Sequence, residues 1–180
     1  MKKLNIQELG RMSQEQFKLS RKVPVIIVLD NVRSIYNVGS IFRTADAFRI
    51  ECICLCGITS TPVNSLIEIH KTALGAEDTV EWSYYKDTAN AVNELKNNGY
   101  SIIAVEQVKD SKKLNDLKIE YGKYALIFGN EVKGVSQEVV DMCDYSIEIP
   151  QFGTKHSLNV SVSAGMVMWE FIRQLMEYIE

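Results

Sequence analysis

Residues 149–165 read IPQFGTKHSLNVSVSAG, and this stretch decides how the rest of the chain is read. A short apolar strand from Tyr145 stops at Pro150, a Gly-containing loop follows, and an apolar helix pattern begins near Ser157 and runs almost to Glu180. The unit is strand, loop, helix. Its loop and first helical turn hold Thr154, Lys155, His156, Ser157, Asn159, Ser161 and Ser163, a dense polar cluster for a segment that leads into a hydrophobic helix.

The same order recurs upstream. PVIIVLD, residues 24–30, is a continuous β-branched run ended by polar residues, as expected of a strand buried on both faces of a parallel sheet. A polar loop then turns into a helix in which Ile41, Ala45 and Phe48 recur at helical spacing. Further strands are expected at Glu51–Ile58, Thr79–Tyr85, Ser101–Glu106 and Lys123–Phe128, with helices at Ser65–Leu74 and Thr88–Asn98, the latter closed by Gly99. A charged loop containing KDSKKLND separates the strands at 101–106 and 123–128. Alternating β and α elements predict an α/β fold: a mostly parallel sheet of six strands, covered by helices on both faces. In such sheets ligands collect at the carboxyl ends of strands. Three strand ends are polar and contain glycine: Asn31–Arg43, Gly129–Ser136 and Gln151–Asn159.

The 180 residues fit a single domain, which at this size buries roughly 70% of its unfolded surface. With 46% hydrophobic and 24% charged residues, the composition excludes a disordered or disulfide-built chain. No apolar run reaches the ~20 residues that span a bilayer, and none follows the N-terminal lysines, so the expectation is a cytoplasmic protein with no membrane partner. Cys52, Cys54 and Cys56 alternate along one strand and share a face, badly placed to bridge one another, while Cys143 stands alone. No second Cys or His pair stands at zinc spacing, so these thiols read as core and no metal is expected. The net charge of -3 argues against bulk electrostatic coating of nucleic acid. Residues 1–22 nonetheless form a basic arm, with Lys2, Lys3, Arg11, Lys18, Arg21 and Lys22 against Glu8 and Glu15, ahead of a single domain over 23–180. Such an arm either steers toward phosphate or is a solvated helix.

GNEVKGVS, residues 129–136, comes close to a phosphate-binding P-loop. It fails where the chemistry sits, because Val135 follows Gly134 where a P-loop places Lys, and Lys133 lies on the wrong side of the glycine. No dinucleotide G-x-G-x-x-G is present either. What remains is a pocket of loop backbone, glycines and apolar residues such as Ile149, Phe152 and Leu158, suited to a flat, partly apolar ligand such as an adenosine moiety.

Three motifs carry a family resemblance. Asn31, Asn37, Gly39 and Arg43 resemble N-x5-N-x-G-x3-R. Phe128, Gly129, Glu131, Gly134 and Ser136 resemble F-G-x-E-x-x-G-x-S. Ile149, Pro150, Gly153, Ser157, Leu158, Asn159, Val160, Ser161 and Val162 resemble I-P-x-x-G-x3-S-L-N-V-S-V. Their order and spacing over residues 24–175 make the chain similar to the SpoU (TrmH-like) branch of the SPOUT methyltransferases, which methylate ribose 2′-hydroxyls of RNA with S-adenosylmethionine.

The resemblance implies an S-adenosylmethionine pocket built by Gly129, Ile149 and Leu158, with Phe128 and Phe152 closing its apolar side and Glu131, Ser157 and Asn159 at its edge. Many relatives have Met where this chain has Phe152. Arg43, Ser157, Asn159 and Asn37 match the positions to which the family assigns chemistry. It also implies a trefoil knot at the C-terminus, a homodimer, and tRNA or rRNA as partner. The residue types suit the reaction. A ribose hydroxyl must be aligned and lose a proton, and a guanidinium beside it or its phosphate favours the developing alkoxide. Arginine normally stays protonated, so Arg43 reads as a positioning group in preference to the base that the family proposal also includes.

Each residue also has a plainer reading. Arg43 has Asp46 at i+3 as an ion-pair partner, and Ser157 and Asn159 are both favoured helix caps. His70 and His156 carry no assignment. In the last helix Val160, Ala164, Val167, Phe171 and Leu175 form one apolar stripe, and Val162, Met166, Trp169 and Met176 form another. One stripe meets the sheet and the second needs a partner, which is a reason of its own to expect a homodimer. The expectation is an RNA 2′-O-methyltransferase, with an RNA-binding SPOUT-like protein without methyl transfer as the alternative.

Overall fold

A computed structural model describes residues 1–5 and 7–176. Its elements in chain order are α1 (Gln14–Leu19), β1 (Val23–Asp30), α2 (Ile35–Ala47), β2 (Ile50–Cys56), α3 (Leu66–Ala73), β3 (Trp82–Tyr85) and α4 (Thr88–Asn97). They continue as β4 (Ser101–Val105), β5 (Lys112–Lys113), β6 (Tyr124–Phe128), α5 (Gln137–Asp141), β7 (Tyr145–Glu148) and α6 (Val160–Leu175). The strands form one sheet in the order β3-β2-β1-β6-β4-β7-β5, and every neighbouring pair is parallel.

β1 shows why the sheet is covered twice. Successive strand side chains point to opposite faces. Val25, Ile27 and Leu29 enter a core shared with Val38, Ile41 and Phe42 of α2 and with Val167 and Phe171 of α6. Ile26 and Val28 enter a second core with Ala91, Val92 and Leu95 of α4 and Val139 of α5. Burying these five β1 side chains contributes on the order of 10 kcal/mol before the cost of ordering the chain. Pro24 has no N–H to give a ladder, and the β1–β2 register breaks between Val23 and Ile26. Cys54 and Cys56 lie in the second core, with Cys52 packed against it.

The structure corrects two expectations. The charged 106–123 connection contains a seventh strand, since Lys112 and Lys113 pair with Ile147 and Glu148. A two-residue lysine edge has no alternation to betray it, and only its neighbour makes it a strand. The last helix begins at Val160, not near Ser157, because the Asn159 side chain accepts from the N–H groups of Ser161 and Val162 and so caps it. Ser157 stays in the loop. The expected run of this helix beyond Met176 lies outside the described residues.

α6 buries its first stripe and leaves Val162, Met166, Trp169 and Met176 exposed. At the other end of the chain, α1 starts in a capping box between Ser13 and Gln16, and its Phe17 is buried in the first core. The basic arm is thus pinned to the domain at that residue. Among the described residues no helix is long and apolar enough to cross a membrane.

Candidate active site

The carboxyl ends of β1, β6, β4 and β7 are adjacent in the sheet, so their loops meet above it. After β1, Asn31 turns the chain at φ 56°, a conformation that asparagine tolerates, and its side-chain oxygen accepts the Ile58 N–H. Ser34 caps α2 by accepting from the Asn37 N–H. The α2 N-terminus leaves two further N–H groups, those of Arg33 and Ser34, and both donate to Glu131 at 2.9 Å. A carboxylate suits this place because unpaired N–H groups and the helix dipole both favour negative charge. Burial pushes the Glu131 carboxyl up, but the Arg33 and Ser34 N–H groups and the Asn37 amide outweigh it, so the net pKa lies below the ordinary value.

Asn37 is the junction of the three motifs. Its Nδ2 donates to Glu131 Oε1 at 3.1 Å, and its Oδ1 accepts from Asn159 Nδ2 at 3.1 Å and Ser161 Oγ at 3.4 Å. Asn159 therefore does two jobs at once: its oxygen caps α6 and its amide nitrogen reaches Asn37. The 129–136 loop closes on itself through paired Asn130 and Gly134 backbone bonds, and Asn130 Nδ2 donates to the Asn31 carbonyl at 2.8 Å. Its end is tied by the Ser136 N–H to Asp30 Oδ2 at 3.0 Å.

Beside this network opens a cavity of about 530 Å³, within the usual size for a small-molecule site. Phe128, Ile147, Ile149 and Leu158 give it apolar walls, and Glu106, Asn130, Lys133 and Ser157 give it polar ones. The segment from Gln151 to Leu158 forms neither helix nor strand, so its peptide groups lie outside any ladder, and Gln151, Ser157 and Leu158 bring theirs to the cavity. An apolar slot edged by backbone donors and acceptors fits the base and sugar of an adenosine moiety.

Of the residues named from sequence, Phe128, Gly129, Glu131, Ile149, Ser157, Leu158 and Asn159 line this cavity. Phe152 does not. It is 97% exposed in the 151–158 loop, so within this chain it closes no wall. Its apolar character had suggested a wall, but no element among the described residues folds over it. Arg43 is also outside the lining. It lies six residues beyond Asn37, roughly 9 Å along α2, exposed and with no hydrogen bond or ion pair to its guanidinium among the described residues. The pairing with Asp46 is not made, because Asp46 accepts from Thr79 Oγ1 at 2.7 Å. Two residues escaped sequence reading: Asp30, the buried anchor of the 129–136 loop, and Glu106, which lines the cavity at the end of β4. The available signal was an acidic residue ending an apolar strand run, but the loop after β4 has no glycine to draw attention to it.

The fold and the cleft define an α/β protein with a partly apolar cavity over the carboxyl ends of its central parallel strands. The profile of the SpoU rRNA Methylase family matches residues 24–169, and the chain belongs to that family. It is 37% identical over 161 residues to an uncharacterized tRNA/rRNA methyltransferase of Borreliella burgdorferi, covering 89% of this chain and 68% of that one. It is 34% identical over 151 residues to the 23S rRNA (guanosine-2′-O-)-methyltransferase RlmB of Neisseria meningitidis, covering 84% of this chain and 59% of the relative. Among solved structures, the AdoMet-bound rRNA methyltransferase from Sinorhizobium meliloti superposes with a TM-score of 0.78 at 25% identity, over 92% of this chain and 62% of that one. The chain thus spans only about six to seven tenths of these relatives' own lengths.

Proposed function

We propose that this chain is an S-adenosylmethionine-dependent methyltransferase acting on the ribose 2′-hydroxyl of a tRNA or rRNA nucleotide. The observation that carries the reading is the hydrogen-bonded junction of Asn37, Glu131 and Asn159 at the rim of a nucleoside-sized cavity, in a chain of the SpoU family. RlmB, which this chain resembles, is a 2′-O-methyltransferase, and the S. meliloti relative binds AdoMet. S-adenosylmethionine, when bound, supplies a methyl group made electrophilic by its sulfonium.

The residues here would do the rest. Ile149, Leu158 and Phe128 hold the adenosyl group, and the peptide groups of the 151–158 loop orient it. Asn37 and Asn159 fix the rim against which the ribose is set, and Ser157 offers it a hydroxyl. Arg43 is a positioning group whose guanidinium grips an RNA phosphate in a two-pronged contact and favours the developing alkoxide. A homodimer completes the picture. Val162, Met166, Trp169 and Met176 form an exposed apolar stripe on α6, and Thr44, next to Arg43, packs beside Gly165 of the same helix. A second copy on that stripe would bury it and lie close to Arg43. The basic arm adds RNA attraction, and a cytoplasmic location and a C-terminal trefoil knot complete the reading.

The test is transfer of labelled methyl from S-adenosylmethionine by the full chain to total tRNA and rRNA pools, repeated with Arg43→Ala. Transfer that is lost in the variant is expected. No transfer to any pool, with no S-adenosylmethionine bound in calorimetry, would replace the enzyme by an RNA-binding protein of the same fold.

A further inference from the structure

β4 ends between β6 and β7, the two strands whose loops wall the cavity. The residue that follows it, Glu106, is half-buried and lines that cavity. Its carboxylate is fixed in place: Oε1 accepts the Gln107 N–H at 2.9 Å, and Oε2 accepts the Val135 N–H at 2.9 Å. Gly134 makes room for it. At φ +68° a Cβ on Gly134 would stand 2.1 Å from Glu106 Oε2, so any side chain there would push the carboxylate away. An ionised carboxylate offers about four acceptor positions, and the protein fills one on each oxygen, leaving about two for a ligand.

The other carboxylates in the lining are placed differently. Glu131 is taken up by three donors at the start of α2. Glu148 has no hydrogen bond that holds it among the described residues. Among the described lining residues, Glu106 is the carboxylate held on both oxygens that keeps about two acceptor positions, where Glu131 keeps about one. Strand order adds a second argument. Asn37, which holds Asn159 at the rim, follows β1, Glu106 stands over β4, and Ile149 follows β7. In an adenosyl ligand the ribose likewise lies between the reactive sulfur and the apolar base. An acidic residue near a strand end is a common partner of ribose hydroxyls in parallel α/β sheets.

We propose that Glu106 is a cofactor-binding residue that accepts hydrogen bonds from the vicinal ribose hydroxyls of the adenosyl ligand; this rests on the cofactor reading above. The pre-set carboxylate makes the cavity selective for an intact ribose and against a deoxyribose or a phosphorylated one, whose charge it would repel.

Calorimetric titration of the full chain with S-adenosylhomocysteine and its 2′-deoxy, 3′-deoxy and deaminated analogues tests this without turnover. In the wild type each missing hydroxyl is expected to weaken binding by about tenfold to a hundredfold, the usual worth of a hydrogen bond to a charged group. In Glu106→Ala that penalty should shrink to about threefold or less. A merely structural role would weaken every ligand in parallel and leave the ratios at their wild-type values, which overturns the proposal. Loss of the deamination penalty instead would assign the carboxylate to the ligand's ammonium group and overturn it equally. Glu106→Gln, which keeps the side-chain length, should retain only part of the hydroxyl penalty, and a full wild-type penalty there refutes the idea even if the alanine variant fails to fold. A wild type that binds none of these ligands would defeat the cofactor reading itself, an outcome distinct from binding with unchanged ratios.

Discussion

Asp30 offers the sharpest test of how the fold holds the site. It ends β1 with only 2% of its surface exposed. Its Oδ1 accepts from Thr88 Oγ1 at 2.6 Å and Asn31 Nδ2 at 2.8 Å, and its Oδ2 accepts from the Ser136 N–H at 3.0 Å. One carboxylate thereby joins the start of α4, the turn after β1 and the end of the 129–136 loop. Asp30→Asn keeps the shape and leaves no cavity, but turns one acceptor into a donor. If the amide oxygen takes the Oδ1 position, the new NH2 faces the Ser136 N–H; if it takes the other, the NH2 faces two donors, so the first arrangement is cheaper. Losing one charge-assisted bond costs about 1.5–3 kcal/mol, and the two retained bonds weaken with the charge gone, for a total of about 2–4 kcal/mol. For a chain of this length that is a fall in Tm of roughly 4–16 °C. Urea unfolding at fixed protomer concentration is the assay, since association would make stability depend on concentration. A lower midpoint at unchanged slope is expected, together with weaker S-adenosylhomocysteine binding as the loop loses its tie. A loss below about 0.5 kcal/mol would show that Asp30 is not the anchor described here.

Asn159→Asp should separate the cap from the rim: the carboxylate still caps α6, so stability stays within about 0.5 kcal/mol, while its oxygen facing Asn37 Oδ1 breaks the junction and methyl transfer falls. Full activity in that variant would remove Asn159 from the site. Gly39→Ala should cost about 1–3 kcal/mol or more in chemical denaturation, because the new Cβ would stand 2.1 Å from Thr72 Oγ1 and 2.5 Å from the Ile69 carbonyl of α3, and a helix backbone cannot step aside. An unshifted midpoint would contradict the close α2–α3 contact. Glu131 predicts a pH dependence. Its folded pKa is lowered by the α2 N–H groups against the opposing effect of burial, so its contribution is present in full above the ordinary carboxylate value of about 4.3. It is lost as pH falls through the lower folded value, and the stability gap between wild type and Glu131→Gln should therefore narrow from pH 6 to pH 3. A gap that stays constant over that range would rule this out.

The uninterrupted apolar run of β1 announced a strand buried on both faces, and the alternation of strands and helices announced the doubly covered parallel sheet. Three ordered motifs led to the SpoU family, and most of the side chains named for the pocket do line one cavity. These features are legible because burial leaves a local periodic trace and because motif residues sit at strand ends, where a parallel sheet gathers its loops. Tertiary structure alone decided the rest. Lys112 and Lys113 are a strand only because β7 lies beside them. Ser157 and Asn159 are equally good caps on paper, and Asn159 takes the role in a structure where its other end meets Asn37, 122 residues away. Phe152 looked like a wall and stands exposed, whereas Asp30 and Glu106 looked like ordinary polar strand ends and hold the 129–136 loop. Sequence records which side chains must be buried or must turn the chain. Which distant group meets a given polar atom depends on strand order, and the path β1-β6-β4-β7 is set by the packing of the whole sheet.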